Sequence, residues 1–158
     1  MSKYFFPSLL LLMCLVSCGL DQPVDPIRAE MEQYAKAHME TFSPDTYEFE
    51  SMRSVRQYKY VDDLECYRTG LQQRCDQDRE FCDKEFQKIN SLEHLYGNEV
   101  ACTEFVFNYW AKTETGTKIP LMVFAIYDAS GTQLFISTKR EQLPSYPALQ
   151  ILKNKGEL

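Results

Sequence analysis

The spacing of apolar residues along the chain changes from the helical period to the two-residue period of β-strands. Residues 26–42 carry apolar side chains at helical spacing, which predicts a first helix with Asp25 as its N-cap and Pro26 in its first turn. Pro44 then ends this helix. Residues 46–60 begin with strand-like alternation and become polar later, which predicts a strand that is solvated on both faces or lies at a sheet edge.

The longest predicted element is a helix over residues 62–96, where one apolar stripe recurs at the helical period. Asp62 is a suitable N-cap, and Gly97 is a suitable stop. A continuous helix of this length would measure about 51 Å, which is long for a domain of this size. We therefore expect a break, and Gly70 is the natural place for it.

The last third of the chain predicts a β-meander. Its strands are expected at 100–112, 118–128 and 132–138, and the connections between them contain glycine where a turn needs a positive φ. Residues 144–156 are expected to close the chain as a helical turn or a docked tail. This order of elements predicts an α+β fold, in which an antiparallel sheet carries the N-terminal helix and the long central helix on one face.

The composition is that of a globular protein, with 44% hydrophobic and 13% aromatic residues, and its length predicts one domain over residues 26–158. The formal net charge is −6, and no basic stripe is visible. Because an acidic domain gains no free energy from counterion release, we expect no nucleic-acid partner.

An apolar run over residues 5–16 follows Lys3 near the start of the chain. The run is shorter than the roughly 20 residues that span a bilayer, and it suits the apolar region of a signal peptide. The stretch that follows, Leu15-Val16-Ser17-Cys18, resembles a bacterial lipobox, with a small residue before the cysteine.

The resemblance to envelope lipoproteins implies that residues 1–17 are a signal peptide and that Cys18 is lipidated with acyl chains such as palmitate. Several acyl chains together make a stable membrane anchor. Residues 18–25 would then form a tether that reaches at most about 26 Å. Gly19 stands where an aspartate would resemble an inner-membrane retention signal, so the outer membrane is favoured. The alternative is an ordinary secretory peptide cut nearby, with Cys18 as a stray thiol.

Two stretches of the body, SPDTYEF at 43–49 and the hairpin NYWAKTETGTKIPLMVFAIYD at 108–128, are similar to small, uncharacterised lipoprotein domains of Gram-negative envelopes. The resemblance covers most of the chain after Cys18. It implies a location and a fold, and it carries no known active site.

Four cysteines remain after the predicted signal peptide and Cys18: Cys66, Cys75, Cys82 and Cys102. Their spacings lack the close pairs of zinc sites and the C-x-x-C of thioredoxin-like proteins, so no metal is expected. In an exported chain, four such cysteines predict two disulfides, with free thiols as the alternative.

The predicted helix constrains how these cysteines pair. In a continuous helix, Cys75 and Cys82 would lie about 10 Å apart, beyond the 7 Å or so that a disulfide allows. A strand that runs back after the helix would bring Cys102 near Cys82. Cys66 would then pair with Cys75, which requires a helical hairpin or kink near Gly70.

Three tyrosines near the end of the first strand, Tyr58, Tyr60 and Tyr67, form a possible aromatic surface for a sugar or a protein. The alternative is that they roof the core. His38 and His94 lie near the ends of the two predicted helices, where a helix dipole explains them. The carboxylates fall mostly on the polar helix face, and no cofactor or catalytic motif is recognised.

These observations predict a lipid-anchored cell-envelope protein whose domain is non-catalytic and acts in binding or structure. Its expected partners are the membrane, through the lipid, and an envelope protein. The alternatives are a periplasmic or surface enzyme with scattered carboxylates or tyrosines, and a module that binds a small ligand or sugar. A deep pocket with converging polar groups would favour the alternatives, whereas a filled core with a flat exposed patch would favour the first reading.

Overall fold

A computed structural model describes residues 25–39, 41–75 and 78–158, and it confirms the α+β fold class. The elements, in chain order, are α1 (Pro26–Ala37), β1 (Glu48–Lys59), α2 (Tyr60–Gln72), α3 (Arg79–Tyr96), β2 (Val100–Lys112), β3 (Lys118–Asp128), β4 (Gln133–Ser137) and α4 (Pro147–Asn154). Two short 3-10 turns, Pro44–Thr46 and Arg140–Gln142, precede β1 and follow β4.

The four strands form one antiparallel meander in the order β1-β2-β3-β4. Strands β2 and β3 have the predicted bounds, and β4 is shorter by one residue at each end. β1 is an edge strand whose residues 53–57 are exposed, which confirms the edge prediction. Three register shifts interrupt its pairing with β2, and such bulges protect an edge from pairing with another chain.

Helices cover both faces of the sheet, and the expectation that they share one face is wrong. On the first face, Met31 of α1 packs with Phe107 and Val123. On the second face, α2, α3 and α4 pack over Cys102 and Ile126. Because successive side chains of a strand point to opposite faces, the apolar runs in β2 and β3 leave apolar groups on both sides, and both sides need cover.

The predicted long helix is a hairpin of two helices, with the Arg68 guanidinium of α2 bonded to the Glu93 carboxylate of α3 at 2.6 Å. The break does not occur at Gly70, which lies inside α2, but after Gln72. Asp78 accepts a hydrogen bond from the Phe81 amide at 3.0 Å and so caps the start of α3. An aspartate N-cap gives the chain a new helix start that competes with continuation of the old helix.

The closing segment forms α4, whose apolar face is buried against α2 and the first two strands. Its N-terminus is capped from a distant part of the chain, because Asp63 Oδ2 accepts from the Ala148 amide at 2.8 Å. Asp63 is only 3% exposed. Burial raises the pKa of Asp63 above its usual range, although the amides of Ala148 and Leu149 oppose the shift.

Candidate functional site

A polar cluster on the second face of the sheet joins the buried Tyr58 and Glu104 to the half-exposed Arg140. Glu104, in the middle of β2, is 1% exposed. Arg140 binds it with two bonds, Nε to Oε1 at 2.8 Å and Nη2 to Oε2 at 2.9 Å. The Tyr58 hydroxyl donates to Oε2 at 2.7 Å. The cluster therefore ties β1, β2 and the segment after β4 together at one point.

The electrostatics of this cluster indicate a closed structural arrangement. Burial, with the hydrogen bond to Glu104 as the second cause, raises the pKa of Tyr58 to about 12. The hydrogen bond to Glu104 likewise raises the pKa of Arg140. Tyr58 is thus a neutral donor at neutral pH. Both oxygens of Glu104 are occupied by protein donors, whereas a catalytic carboxylate needs an oxygen within reach of its substrate.

The second face of the sheet is covered by helices near Glu104 and Ile126, and the half of this face beyond them is uncovered. Asn108 pairs in register with Ser51 and Met122, and Trp110 pairs with Pro120. Met122 is 51% exposed, Pro120 is exposed, and Trp110 is half-buried. Within the described residues, neither hydrophobic cluster includes Trp110 or Met122. We call this region the open sheet face and define it by Ser51, Arg53, Asn108, Trp110, Pro120 and Met122.

Polar groups and cations surround the apolar centre of the open sheet face. Lys118 Nζ lies 5.0 Å from the Trp110 ring centroid and 2.8 Å from Glu48 Oε2. The hydrogen bond from Lys118 lowers the pKa of Glu48. Arg53 is exposed, and no carboxylate of the described part of the chain forms an ion pair with it, whereas the Arg56 guanidinium lies 4.5 Å from the ring centroid of Tyr58 in the polar cluster. The local charge is therefore positive on a chain whose net charge is −6.

The three tyrosines predicted as an aromatic surface do not form one. Tyr58 is 3% and Tyr60 is 6% exposed, and Tyr67 is partly buried. Tyr67 donates to Glu85 Oε2 at 3.0 Å, and the Tyr60 ring lies 4.8 Å from that of Tyr96. The possible exposed aromatic surface is not formed, and the alternative, in which these rings roof the core, is confirmed, because the hairpin and α4 fold over the end of β1.

The predicted disulfide pairs Cys82–Cys102 and Cys66–Cys75 are also wrong. Cys75 is bonded to Cys82, with their Cα atoms 5.8 Å apart, whereas Cys66 and Cys102 are free. The geometric objection to this pair assumed a continuous helix. Because α2 ends at Gln72, Cys75 lies in the connection and turns back toward the first turn of α3.

The two free cysteines differ in environment. Cys66 is exposed on α2, and Cys102 is fully buried in β2. Burial, followed by the nearby carboxylates of Asp63 and Asp128, raises the pKa of Cys102 to about 12. Since the thiolate is the reactive form, Cys102 is inert at neutral pH.

Both histidines lie at helix ends, as the sequence indicates. His38 follows α1 and its Nδ1 lies 2.9 Å from the Tyr34 carbonyl oxygen, while His94 is exposed in the last turn of α3. Within the described ranges, no group of three His, Cys, Asp or Glu side chains is placed to hold a metal ion.

Two buried carboxylates, Asp63 and Glu104, were missed by reasoning from the sequence. Asp63 stands beside Asp62 at the start of the predicted helix, where a carboxylate is usually solvated, and so its sequence context gives no sign of burial. A signal for Glu104 was present, because a charge stands inside the longest apolar strand, next to Phe105 and Val106. A buried charge needs a partner, so such a position predicts a distant cation.

No protein family, no curated protein sequence and no solved structure matches this chain. The predicted signal peptide, Cys18 and nearly all of the tether lie outside the described residues. In the described part of the chain, none of the helices has both the length and the apolar character required to cross a membrane.

Proposed function

We propose that this chain is a lipid-anchored cell-envelope protein, of the outer membrane rather than the inner, whose domain binds a protein partner through the open sheet face. The observation that carries the proposal is that half of one sheet face stays uncovered while the other half of the same face is sealed by helices. The domain acts in binding or structure and performs no chemistry in this proposal.

The side chains of the open sheet face are those that protein interfaces favour. Trp, Met and Arg are enriched in the centres of interfaces, and Trp and Arg dominate binding energies. Here a half-buried Trp110 and an exposed Met122 lie between Arg53 and Lys118. Because Arg53 is a cation without an ion-pair partner in the described residues, the partner surface that fits best is apolar at its centre and acidic beside it.

The enzyme alternative finds less support in the geometry. The most deeply buried carboxylate, Glu104, is held by Arg140 and Tyr58, and both of its oxygens face protein donors. Two catalytic carboxylates flanking a cleft would instead need free oxygens several ångströms apart. The buried Glu104 carboxylate is thus explained by the fold, and the exposed patch is the surface that we assign to binding.

The lipid anchor is supported by the Leu15-Val16-Ser17-Cys18 stretch and is tested by Cys18→Ala. We expect this variant to move from the membrane pellet to the soluble fraction or to remain unprocessed. Normal processing and continued membrane association of Cys18→Ala would refute the lipoprotein assignment. Fractionation of outer and inner membranes then decides between the two locations.

The binding face is tested by placing a photo-crosslinking amino acid at position 122 in the living cell. The matched control is position 95, because Leu95 of α3 is also an exposed large apolar residue, at 65%. We expect a discrete protein adduct from position 122 that disappears when Arg53 and Trp110 are replaced by alanine. An adduct from position 95 with none from position 122 would place the interface on α3 and refute this proposal.

A further inference from the structure

A small cavity, open to solvent, is lined by residues of the helices and shares no lining residue with the open sheet face. It has a volume of about 180 Å³ and lies between α2 and the start of α4. Cys66 and Gly70 are four residues apart and so lie on one line of α2, and Arg74 follows just beyond the helix end. An apolar cavity of about 150 Å³ is large enough to hold benzene.

Two aromatic rings take part in the cavity walls. Tyr67 comes from α2, and Tyr146, which is 49% exposed, comes from the residue before α4. Leu149 of α4 adds an aliphatic wall. Aromatic rings prefer offset-stacked or edge-to-face contacts with other rings, so walls of this type fit a flat aromatic body.

Gly70 leaves open space in the wall of the cavity. A glycine in the middle of a helix costs about 1 kcal/mol relative to alanine. Two structural reasons for such a glycine are absent here: its φ is not positive, and a Cβ at this position would meet no atom within 4 Å. What the glycine does is to keep a side chain out of the cavity between α2 and Tyr146.

Arg74 supplies the one cation of the cavity. It is exposed, and no carboxylate of the described residues forms an ion pair with it. Its guanidinium presents donors in a fork that matches a carboxylate.

From this combination we infer that the cavity binds a small aromatic monocarboxylate, with the ring beside Gly70 between Tyr67 and Tyr146 and the carboxylate on Arg74. This site is independent of the open sheet face and of the proposed partner. A neutral ligand would lose the contact with Arg74, and a ligand without an aromatic ring would lose the contacts with the rings of Tyr67 and Tyr146.

The exposed Cys66 thiol makes the occupancy of the cavity measurable. The full-length chain in detergent is treated with N-ethylmaleimide, and the alkylation rate of the Cys66 peptide is followed by mass spectrometry. Cys102 is the internal control for unfolding, because it is fully buried and does not line the cavity. At about 10 mM phenylacetate we expect Cys66 to react about six times more slowly, as a Kd of about 2 mM would give for a ligand of this size.

Three comparisons test the assignment of the ligand class. Phenylacetamide, which lacks the charge, should slow the alkylation of Cys66 less than two-fold, because it loses the charge-assisted hydrogen bonds to Arg74. Arg74→Gln should make phenylacetate and phenylacetamide equivalent. Equal protection by the amide in the unmodified chain, stronger protection by hexanoate, or no protection by phenylacetate would each overturn the inference.

Gly70→Leu fills the cavity with a side chain that also favours the helix, so we expect a folded variant in which phenylacetate no longer changes the rate at Cys66. Gln72→Leu, an exposed position on α2 that does not line the cavity, is the matched control and should keep the protection. Saturation-transfer NMR of phenylacetate with Cys66→Ser gives a readout without the thiol. Protection or transfer that persists in Gly70→Leu would place the ligand elsewhere and refute this site.

Discussion

The two halves of the second sheet face are built from the same strands and the same alternation, yet one is sealed and the other is open. In the sealed half, Ile126 is fully buried under the helical elements and Glu104 is bonded to Arg140. In the open half, Met122 lies four residues from Ile126, on the same face of β3, and is 51% exposed. The strands therefore do not decide which positions become core.

The difference arises from where distant segments return to the sheet. Arg140 follows the last strand, and α4 is the last helix of the described chain; both fold back over the half that contains Cys102. The open half is satisfied locally, since Asn108 donates to Ser51 at 2.9 Å and Lys118 contacts Trp110. The apolar groups of Trp110 and Met122, and Arg53 without an ion pair in the described part of the chain, are therefore left to contact a partner.

The largest effect is expected where the two halves are compared directly by truncation to alanine. Ile126→Ala should lower the free energy of unfolding by about 3 kcal/mol, because it leaves a cavity in the sealed half. Met122→Ala, four residues away on the same face, should change it by less than about 0.5 kcal/mol. Urea denaturation followed by circular dichroism measures both. Equal losses would mean that the open half is also part of the core.

A similar contrast holds for the arginines of the two halves. Arg140→Met should lower the free energy of unfolding by about 3 kcal/mol, because the substitution leaves the Glu104 carboxylate buried with only the Tyr58 hydroxyl as a partner. This value is at the lower end for a broken buried pair, since Arg140 is itself half-exposed. Arg53→Met in the open half should stay within about 0.5 kcal/mol. Denaturant midpoints of the two variants decide this, and a neutral Arg140→Met would show that the cluster contributes no stability.

The disulfide at the hairpin turn should contribute less than the buried ion pair. Its half-cystines are seven residues apart. Closing so short a loop in the unfolded chain predicts a loss of about 2 to 3 kcal/mol for the double variant Cys75→Ser, Cys82→Ser. Cys66→Ser, an exposed free cysteine on the same hairpin, is the control and should be near neutral. Thermal unfolding measures the difference, and non-reducing peptide mapping should show a Cys75–Cys82 peptide.

The smallest of these effects is expected for Asp63, whose carboxylate caps α4 over the sealed half. Asp63→Ala removes the cap of α4 and should cost about 1 to 2 kcal/mol, whereas Asp63→Asn keeps an acceptor for the Ala148 amide and should cost less. Burial raises the pKa of the folded-state Asp63 carboxyl, so the folded protein takes up this proton before the unfolded chain does.

Because the folded state binds this proton more tightly, protonation of Asp63 stabilises the folded state. As the pH falls through the raised folded pKa toward the unfolded value near 4, the natural protein should gain stability relative to Asp63→Asn. Above this window the difference should be constant. Urea titrations of both proteins at a series of pH values measure it. A loss of relative stability on acidification would mean that the bonds to Ala148 and Leu149 outweigh the burial.

Local patterns in the sequence predicted the elements well, because each depends on neighbours along the chain. The spacing of apolar residues and the glycine turns predicted β2 and β3 to the residue, and the polar second half of β1 predicted an edge. The break in the helical hairpin was misplaced at Gly70, because a glycine in a helix interior costs only about 1 kcal/mol and does not end the helix. The N-cap at Asp78 was the stronger signal.

What the sequence by itself determined is the α+β class, the antiparallel meander and the positions of its strands, because backbone periodicity and turn chemistry act over a few residues. Only the tertiary structure decided that helices cover both faces, that Cys75 bonds to Cys82, and that Tyr58 and Tyr60 are core. It alone brought Arg140 to Glu104 and left Trp110 and Met122 uncovered. Apart from the disulfide, whose cysteines are seven residues apart, these contacts join residues dozens of positions apart, and their free energy depends on which segments pack against each face of the folded sheet, which no local pattern records.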